Sequence, residues 1–179
     1  MSRVYHGALI GCVDGAWTET MLRAARHLVG GHVIDPYTHP GGVKDLKLGC
    51  QVGETTLRNL VEVSIGLHGV RQVVLCNHWD CGAYGGSRAF SSAEEERAQH
   101  IRHLQKRTKI AQDFLRQYVE EILLNPGAFP RVNFERALKN LRQAADMGVD
   151  MHSILLLPRD LEQPFSGEPD ECYLCVCKV

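Results

Sequence analysis

The sequence predicts an α/β fold with a mostly parallel β-sheet flanked by helices, and three observations support this. Short apolar runs alternate along the chain with segments of helical periodicity, the pattern of parallel strands joined by helical crossovers. The runs are almost continuously apolar, as expected of strands covered on both faces. The 179 residues include 44% hydrophobic and 23% charged residues, the usage of a globular protein. We expect about four parallel strands and an antiparallel C-terminal strand, in a single domain spanning residues 1–179.

The first third of the chain predicts two strands, a helix and a loop. Residues 7–12 form a short apolar run that ends at the turn signal Asp14-Gly15, which indicates a buried strand. Thr18 is predicted to cap a helix that ends at Gly30-Gly31. A second strand is expected at residues 32–35. Residues 35–52 are rich in Pro and Gly without any periodicity, which predicts a long loop.

The middle of the chain predicts two helices around a third strand. Apolar residues at helical spacing predict an amphipathic helix from about Thr55 to His68, and residues 72–77 predict a buried strand. Ser92 and Glu95 form a capping-box pattern that opens a long helix to about Leu124. Its apolar stripe indicates either packing against the domain or, less simply, a coiled-coil seam between subunits. The stripe contains Ile101, Leu104, Thr108, Ala111, Leu115, Tyr118 and Ile122.

The last part of the chain predicts one helix and two strands. The helix starts at Asn133 and ends at Gly148, and strands are expected at residues 153–157 and 172–179. Strand alternation places Cys175 and Cys177 on one face and Cys172 on the other. We therefore expect packed thiols at these three positions rather than a second metal site.

Charge and cysteine content exclude several classes of function. Twenty Lys and Arg against 21 Asp and Glu give a formal charge of -1, so the chain lacks the field that would attract nucleic acid or an anionic membrane. The N-terminal apolar stretch is too short for a signal-peptide core, which predicts a cytoplasmic protein. Seven cysteines without an export signal indicate reduced thiols or metal ligands rather than disulfides.

Soft metal ligands follow two of the predicted strands. Cys12 ends the first strand, and His78 and Cys81 follow the third. Ligands of α/β sheets bind at the carboxyl ends of strands. Two thiolates and one imidazole suit tetrahedral Zn²⁺ and leave a fourth position open. The alternatives are that these are ordinary buried side chains, or that the sheet binds a small molecule without a metal.

The sequence motifs around these residues resemble those of the β-class carbonic anhydrases. That family is marked by Cys-x-Asp-x-Arg and His-x-x-Cys-Gly. The chain has Cys12-Val13-Asp14 and His78-Trp79-Asp80-Cys81-Gly82. The resemblance implies Zn²⁺ held by Cys12, His78 and Cys81, reversible hydration of CO2 to bicarbonate, and Asp14 as the hydrogen-bond acceptor that orients the attacking group. It also implies a homo-oligomer, either a dimer or a dimer of dimers, although the N-terminal helical arm of many members is absent.

One residue departs from the family pattern: position 16 is Ala where the motif has Arg. In the family the arginine holds the aspartate. Without it, we expect Asp14 to close the site as a fourth zinc ligand, unless another arginine takes over its role. The candidates are Arg3, Arg23, Arg88 or an arginine of a neighbouring subunit.

This departure leaves two further functions open besides CO2 hydration. One is hydrolysis of a related small molecule, carbonyl sulfide or carbon disulfide, on the same metal frame. The other is a catalytically inactive zinc-binding homologue in which Asp14 completes the site. His39, in the predicted loop, is either a proton shuttle or, more simply, a solvated histidine.

Overall fold

The structure is a computed structural model that describes residues 4–158 and the backbone of residues 172–177. Its strands are β1 (Gly7–Cys12), β2 (Ile34–His39), β3 (Gln72–His78), β4 (Asp150–Pro158) and β5 (Cys172–Cys177). Its α-helices are α1 (Gly15–Val29), α2 (Gln51–Asn59), α3 (Ala93–Leu124) and α4 (Glu135–Met147). A π-helical segment, Leu60–Leu67, continues α2.

The five strands form one sheet in the order β2-β1-β3-β4-β5. The pairs β1–β2, β1–β3 and β3–β4 are parallel, and β5 pairs antiparallel with β4. The predicted fold class, four parallel strands followed by an antiparallel strand, is thus confirmed. The predicted side-chain packing of Cys172, Cys175 and Cys177 lies outside the described residues.

Helices cover both faces of the sheet. Helix α1 contacts β1, β2 and β3, whereas α2, α3, α4 and the π-helical segment contact one another over the rest of the sheet. This division follows from the strand order, because right-handed crossovers that run in opposite directions along a sheet place their helices on opposite faces. Within the part of the chain that the structure describes, no helix combines the length and apolar character needed to cross a membrane.

The stripe on α3 packs against the domain, as the simpler interpretation predicts. Six of its seven residues are buried within this chain: Leu104, Thr108, Ala111, Leu115, Tyr118 and Ile122. Thr108, the polar member, is fully buried and its hydroxyl lies 2.6 Å from that of Ser153 on β4. Ser92 is the N-cap of α3, and its Oγ accepts a hydrogen bond from Glu95 N at 3.2 Å, but the Glu95 carboxylate accepts from Ser91 N at 2.7 Å and not from Ser92 N as a full capping box requires.

Helix α1 begins earlier than predicted. It starts at Gly15, and its N-cap is Asp14, not Thr18. Thr18 lies inside the first turn and its hydroxyl donates to the carbonyl of Asp14 at 2.9 Å. Asp and Thr are both good N-cap residues, and the position at which β1 ends determines which of them caps the helix. The predicted end is confirmed, since Gly30 adopts a left-handed conformation with φ 66°.

Strand β2 is longer and the loop after it shorter than predicted. The strand runs to His39 because it pairs with β1 along its whole length, from Gly7↔Ile34 to Cys12↔His39. Pro36 is compatible with this position because β2 is the edge of the sheet. The prediction of a loop from residue 35 to 52 is therefore wrong in its first five residues, and α2 already begins at Gln51.

The second predicted helix changes its winding halfway. Its C-terminal half, Leu60–Leu67, is π-helical, and six of these eight residues are buried. Two of them are polar and have partners outside the segment. Glu62 accepts a hydrogen bond from Tyr118 at 2.7 Å, and Ser64 lies 2.6 Å from the hydroxyl of Tyr37. These partners come from α3 and β2, so local periodicity contains no signal for them.

Candidate metal centre

The candidate centre lies where the crossover connections leave the sheet in opposite directions. From β1 the chain crosses to β2 on one side, whereas β3 connects to β4 on the other side. Such a switch point between neighbouring parallel strands is the usual ligand site of open α/β sheets. Cys12 is the last residue of β1 and His78 is the last residue of β3, so both side chains stand at this crevice.

Three groups converge there: the side chains of Cys12, His78 and Cys81. Their ligand atoms all lie within 4.8 Å of one another, and the two Sγ atoms are 3.9 Å apart. All three residues are buried. The structure thus brings together the three residues predicted as metal ligands, and this is the cluster found among the residues that the structure describes.

One ring nitrogen of His78 has a hydrogen-bond partner and the other has none. Nδ1 lies 2.8 Å from the carbonyl oxygen of Trp79, so Nδ1 must carry the proton and donate it. Nε2 then holds a lone pair. It is buried and has no hydrogen-bond partner among the described residues. A buried acceptor without a partner is costly, and a second hydrogen bond that fixes the tautomer is typical of metal-binding histidines.

The contact between the two thiols shifts their pKa values in opposite directions. Their mutual hydrogen bond lowers the pKa of Cys12 to about 3, although burial opposes this. The same contact and burial raise the pKa of Cys81. One thiolate is therefore stabilised beside a thiol that resists ionisation, because two buried negative charges at this distance repel. A cation removes this conflict, since metal ligands bind as thiolates.

Main-chain N–H groups surround the sulfur of Cys12. Gly41 N donates to Sγ at 3.4 Å, and the backbone of Asp14 also helps to lower the pKa of this thiol. The neighbouring Gly42 has φ +55°, and a Cβ there would lie 2.8 Å from Cys76 O and 3.0 Å from Cys12 N. Close backbone passage beside the centre thus explains why position 42 is glycine.

Asp14 does not join the cluster in this structure. Its Oδ1 accepts a hydrogen bond from the backbone N–H of Ala16 at 3.0 Å, in the geometry of a helix N-cap. The expected closure, with Asp14 as fourth ligand of a bound metal, stays a prediction. Of the arginines considered as substitutes, Arg23 and Arg88 are exposed, and Arg3 lies outside the described residues.

The sequence prediction missed a group of side chains behind the centre. Trp17 is buried and stacks on His78, with ring centroids 5.2 Å apart. Glu96 and His100, on the first turns of α3, are 1% and 0% exposed. The sequence contains a signal for the burial of Glu96 and His100, because these positions extend the apolar stripe of α3 by two turns at a spacing of four residues.

His39 is part of strand β2 and not of a loop. It pairs in register with Cys12 at the carboxyl ends of the strands. Both of its ring nitrogens are buried and have no hydrogen-bond partner among the described residues. The interpretation of His39 as a solvated loop histidine is therefore wrong, because β2 extends to include it.

A family model matches most of the chain. Residues 2–124 match the family described as "Putative carbonic anhydrase", and this range contains all three clustered residues and Asp14. A search of curated proteins finds no match to the sequence.

Several solved structures are similar to this one. One comes from a study of two tetrameric β-carbonic anhydrases from the filamentous ascomycete Sordaria macrospora, with 16% identity, 87% of this chain and 77% of that chain covered, and a TM-score of 0.42. The β-carbonic anhydrase CafA of Aspergillus fumigatus has 19% identity, with 95% and 80% of the two chains covered and a TM-score of 0.41. A β-carbonic anhydrase of Trichomonas vaginalis has 15% identity, 98% and 86% coverage and a TM-score of 0.42.

Proposed function

The chain belongs to the family described as "Putative carbonic anhydrase", and on that premise we propose that it is a zinc enzyme that reversibly hydrates CO2 to bicarbonate. Cys12, His78 and Cys81 are the proposed ligands of one zinc ion. The observation that carries the proposal is the buried, unpartnered Nε2 of His78 beside two sulfur atoms 3.9 Å apart. This donor set fits Zn²⁺, which prefers tetrahedral thiolate and imidazole ligands.

Three protein ligands leave one position for a small ligand. A zinc ion held by these three ligands would supply Lewis acidity and would lower the pKa of a water molecule at that position towards neutral. The chain supplies the surroundings of that position. Trp17 stacks on His78, and the buried ends of β1 and β3 exclude bulk water from the ligands.

Asp14 is the proposed hydrogen-bond acceptor for the attacking water. One carboxylate oxygen accepts the N–H of Ala16, which leaves the other oxygen as an acceptor. In the Cys-x-Asp-x-Arg motif of the family, the arginine two residues after the aspartate holds the carboxylate of that aspartate. Here the main chain of the residue at that same position holds the carboxylate. This contact supports an active site in which Asp14 stays off the metal.

The rival function is a zinc-binding homologue without activity, and it is favoured by Ala16. A main-chain N–H carries only a partial charge, so it holds a carboxylate less firmly than a guanidinium does. If Asp14 leaves the helix end and binds the metal, the fourth position is closed. Carbonyl sulfide and carbon disulfide remain alternative substrates of the open site.

Stopped-flow hydration of CO2 by zinc-loaded protein, between about pH 7 and 9, tests the proposal. We expect activity in the wild type that is lost on chelation and regained with zinc, and higher activity in Ala16→Arg. Full zinc occupancy with activity only in Ala16→Arg would instead support the inactive homologue. Activity on carbonyl sulfide or carbon disulfide but not on CO2 would reassign the substrate.

We also propose that the protein is a homo-oligomer and that it is cytoplasmic. Both are expectations from the sequence. The native mass from light scattering tests the first, with a dimer or a tetramer expected, and fractionation of cells that express the protein tests the second. A monomer at micromolar concentration, or recovery from another compartment, would contradict them.

A further inference from the structure

Helix α3 buries two ionisable side chains that the proposed function does not use. Glu96 is 1% exposed and His100 is 0% exposed, one helical turn apart. Burying a carboxylate is costly unless it is hydrogen-bonded, so the partners of Glu96 indicate what it holds in place. Its near neighbours on the same helix, Glu94 and Glu95, are exposed in the ordinary way.

The partner of Glu96 is the turn that separates two of the clustered residues. Glu96 Oε1 accepts a hydrogen bond from the backbone N–H of Asp80 at 2.7 Å. Asp80 stands between His78 and Cys81, and its φ of 53° is the one positive value among the described residues other than glycine. Aspartate adopts the left-handed conformation more readily than most residues, and contacts such as that of Glu96 with the Asp80 N–H stabilise it further.

The turn is held at further points. The carboxylate of Asp80 accepts a hydrogen bond from Ser87 N at 2.6 Å, and Trp79 N donates to Leu156 O on β4 at 2.9 Å. The contacts of Trp79 and Ser87 come from the sheet and from the following loop. Glu96 is the anchor that reaches the turn from helix α3.

His100 extends this anchor to the residue before His78. Its Nδ1 lies 3.4 Å from Nδ2 of Asn77, which is a donor, so Nε2 is the nitrogen that carries the proton. That Nε2 lies 3.6 Å from Glu96 Oε1, which is beyond hydrogen-bond distance, and it has no hydrogen-bond partner among the described residues. Burial lowers the pKa of His100 to about 4, with smaller effects of His78 and His103, which keeps the imidazole neutral. Helix α3 thus contacts the chain at Asn77 and at Asp80, on both sides of His78.

We propose that Glu96 is a positioning residue for the metal centre: its buried carboxylate holds the Asp80 turn so that His78 and Cys81 present their ligand atoms at metal-binding spacing. This inference rests on the proposed zinc site. Glu96 itself does not touch the metal position. It acts through the main chain of Asp80.

The test compares two substitutions of similar volume. Glu96→Gln keeps an oxygen that accepts the Asp80 N–H, whereas Glu96→Met fills the space without an acceptor. Because Glu96→Met leaves the Asp80 N–H without its acceptor, a purely structural role predicts a lower free energy of unfolding with unchanged zinc affinity. We expect both variants to fold, as judged by circular dichroism, and Glu96→Met to bind zinc about 10–100-fold more weakly in chelator competition, the usual loss for an outer partner of a ligand. Glu96→Gln should remain close to the wild type.

Cobalt gives a second readout of ligand geometry. In the cobalt-substituted protein, the thiolate charge-transfer and ligand-field bands should shift in Glu96→Met and be retained in Glu96→Gln. Glu121→Ala, an exposed glutamate on the same helix, is the matched control and should change neither affinity nor spectrum. Equal zinc affinity and equal cobalt spectra for Glu96→Met and Glu96→Gln would overturn the proposal.

A measurement without metal separates this inference from the proposed function. In metal-free protein, the Asp80 amide should be protected from hydrogen exchange in the wild type and in Glu96→Gln, and should exchange at least about 10-fold faster in Glu96→Met. Protection lost as expected in a protein that binds no zinc would refute the proposed function and leave the anchoring of the turn intact. Unchanged protection in Glu96→Met would refute the anchoring.

Discussion

The Oδ1 atom of Asp14 lies 3.0 Å from the backbone nitrogen of Ala16 and accepts its hydrogen bond. Asp14 is the N-cap of α1, two residues after Cys12, and Ala16 lies in the first turn of that helix. The contact gives Asp14 two roles at once, because an N-cap stabilises its helix and a held carboxylate can serve as an acceptor beside the metal position. These roles depend on different properties of the side chain, so substitutions can separate them.

Replacing Asp14 should affect stability and activity differently. Asn is as good an N-cap as Asp, so Asp14→Asn should keep the free energy of unfolding near the wild-type value, whereas Asp14→Ala should lose about 1 kcal/mol. Both variants should retain zinc and lose most CO2 hydration, because neither offers a carboxylate. Urea denaturation and stopped-flow rates are the measurements. Asp146→Asn, at an exposed carboxylate on α4, is the control, and full activity in Asp14→Asn would remove Asp14 from the mechanism.

Removing a clustered thiol should abolish stoichiometric zinc. A serine hydroxyl is a poor zinc ligand, so Cys12→Ser and Cys81→Ser should each leave the purified protein with far less than one zinc per chain. Cys50→Ser is the matched control, since Cys50 is a free, half-buried cysteine outside the cluster. Elemental analysis and a chelator-based colour assay give the metal content. Undiminished zinc in Cys12→Ser would refute the ligand assignment.

The hydroxyl pair between α3 and the sheet should behave as a coupled unit. Thr108→Val leaves the buried hydroxyl of Ser153 without its partner at 2.6 Å, which should cost about 1–3 kcal/mol of unfolding free energy. The double variant Thr108→Val/Ser153→Ala should cost less than the sum of the single variants. Urea denaturation of the four proteins measures the coupling. Thr55→Val, at an exposed threonine of α2, is the comparison, and strict additivity would show that the pair is not coupled.

His100 should make the metal-free protein less stable in mild acid. Burial lowers the pKa of His100 from 6.5 to about 4. Between pH 4 and pH 6.5, His100 is therefore protonated in the unfolded chain but neutral in the folded chain. The stabilisation is complete above pH 6.5 and is lost as the pH falls towards 4, by on the order of 3 kcal/mol at most. Unfolding free energies from pH 7.5 to 4.5 should therefore fall more steeply in the wild type than in His100→Gln.

The control for this pH dependence is His27→Gln, since His27 is exposed on α1. Its pH profile should parallel that of the wild type. If His100→Gln also follows the wild-type slope throughout, then His100 does not contribute to acid destabilisation.

Local patterns predicted much of the fold because each one reports on a single segment. The run at Gly7–Cys12, the N-cap at Ser92 and the stripe of α3 all appear where expected, since periodicity and capping depend on residues within a few positions of one another. The extension of β2 to His39 was missed because it depends on pairing with β1, a partner that is remote in sequence.

The same limit applies to the site. The residue types at the strand ends, Cys12, His78 and Cys81, were sufficient to predict a metal centre, because parallel strands bring their carboxyl ends to one edge. The position of the Asp14 carboxylate was not predictable, because a cap and a metal ligand are competing states of one short side chain. Likewise, the role of Glu96 depends on a contact 16 residues away, with Asp80.

The sequence by itself determined the order of strands and helices, the family, and the three soft donor groups at two strand ends. These follow from periodicity, composition and short sequence motifs, which depend on residues close together in the sequence. Only the tertiary structure decided that Asp14 caps α1 and that Glu96 and His100 are buried behind the ligand turn. The physical reason is that burial and hydrogen-bond partners are properties of segments that meet in space, and their energies exist only after the sheet and its helices have packed.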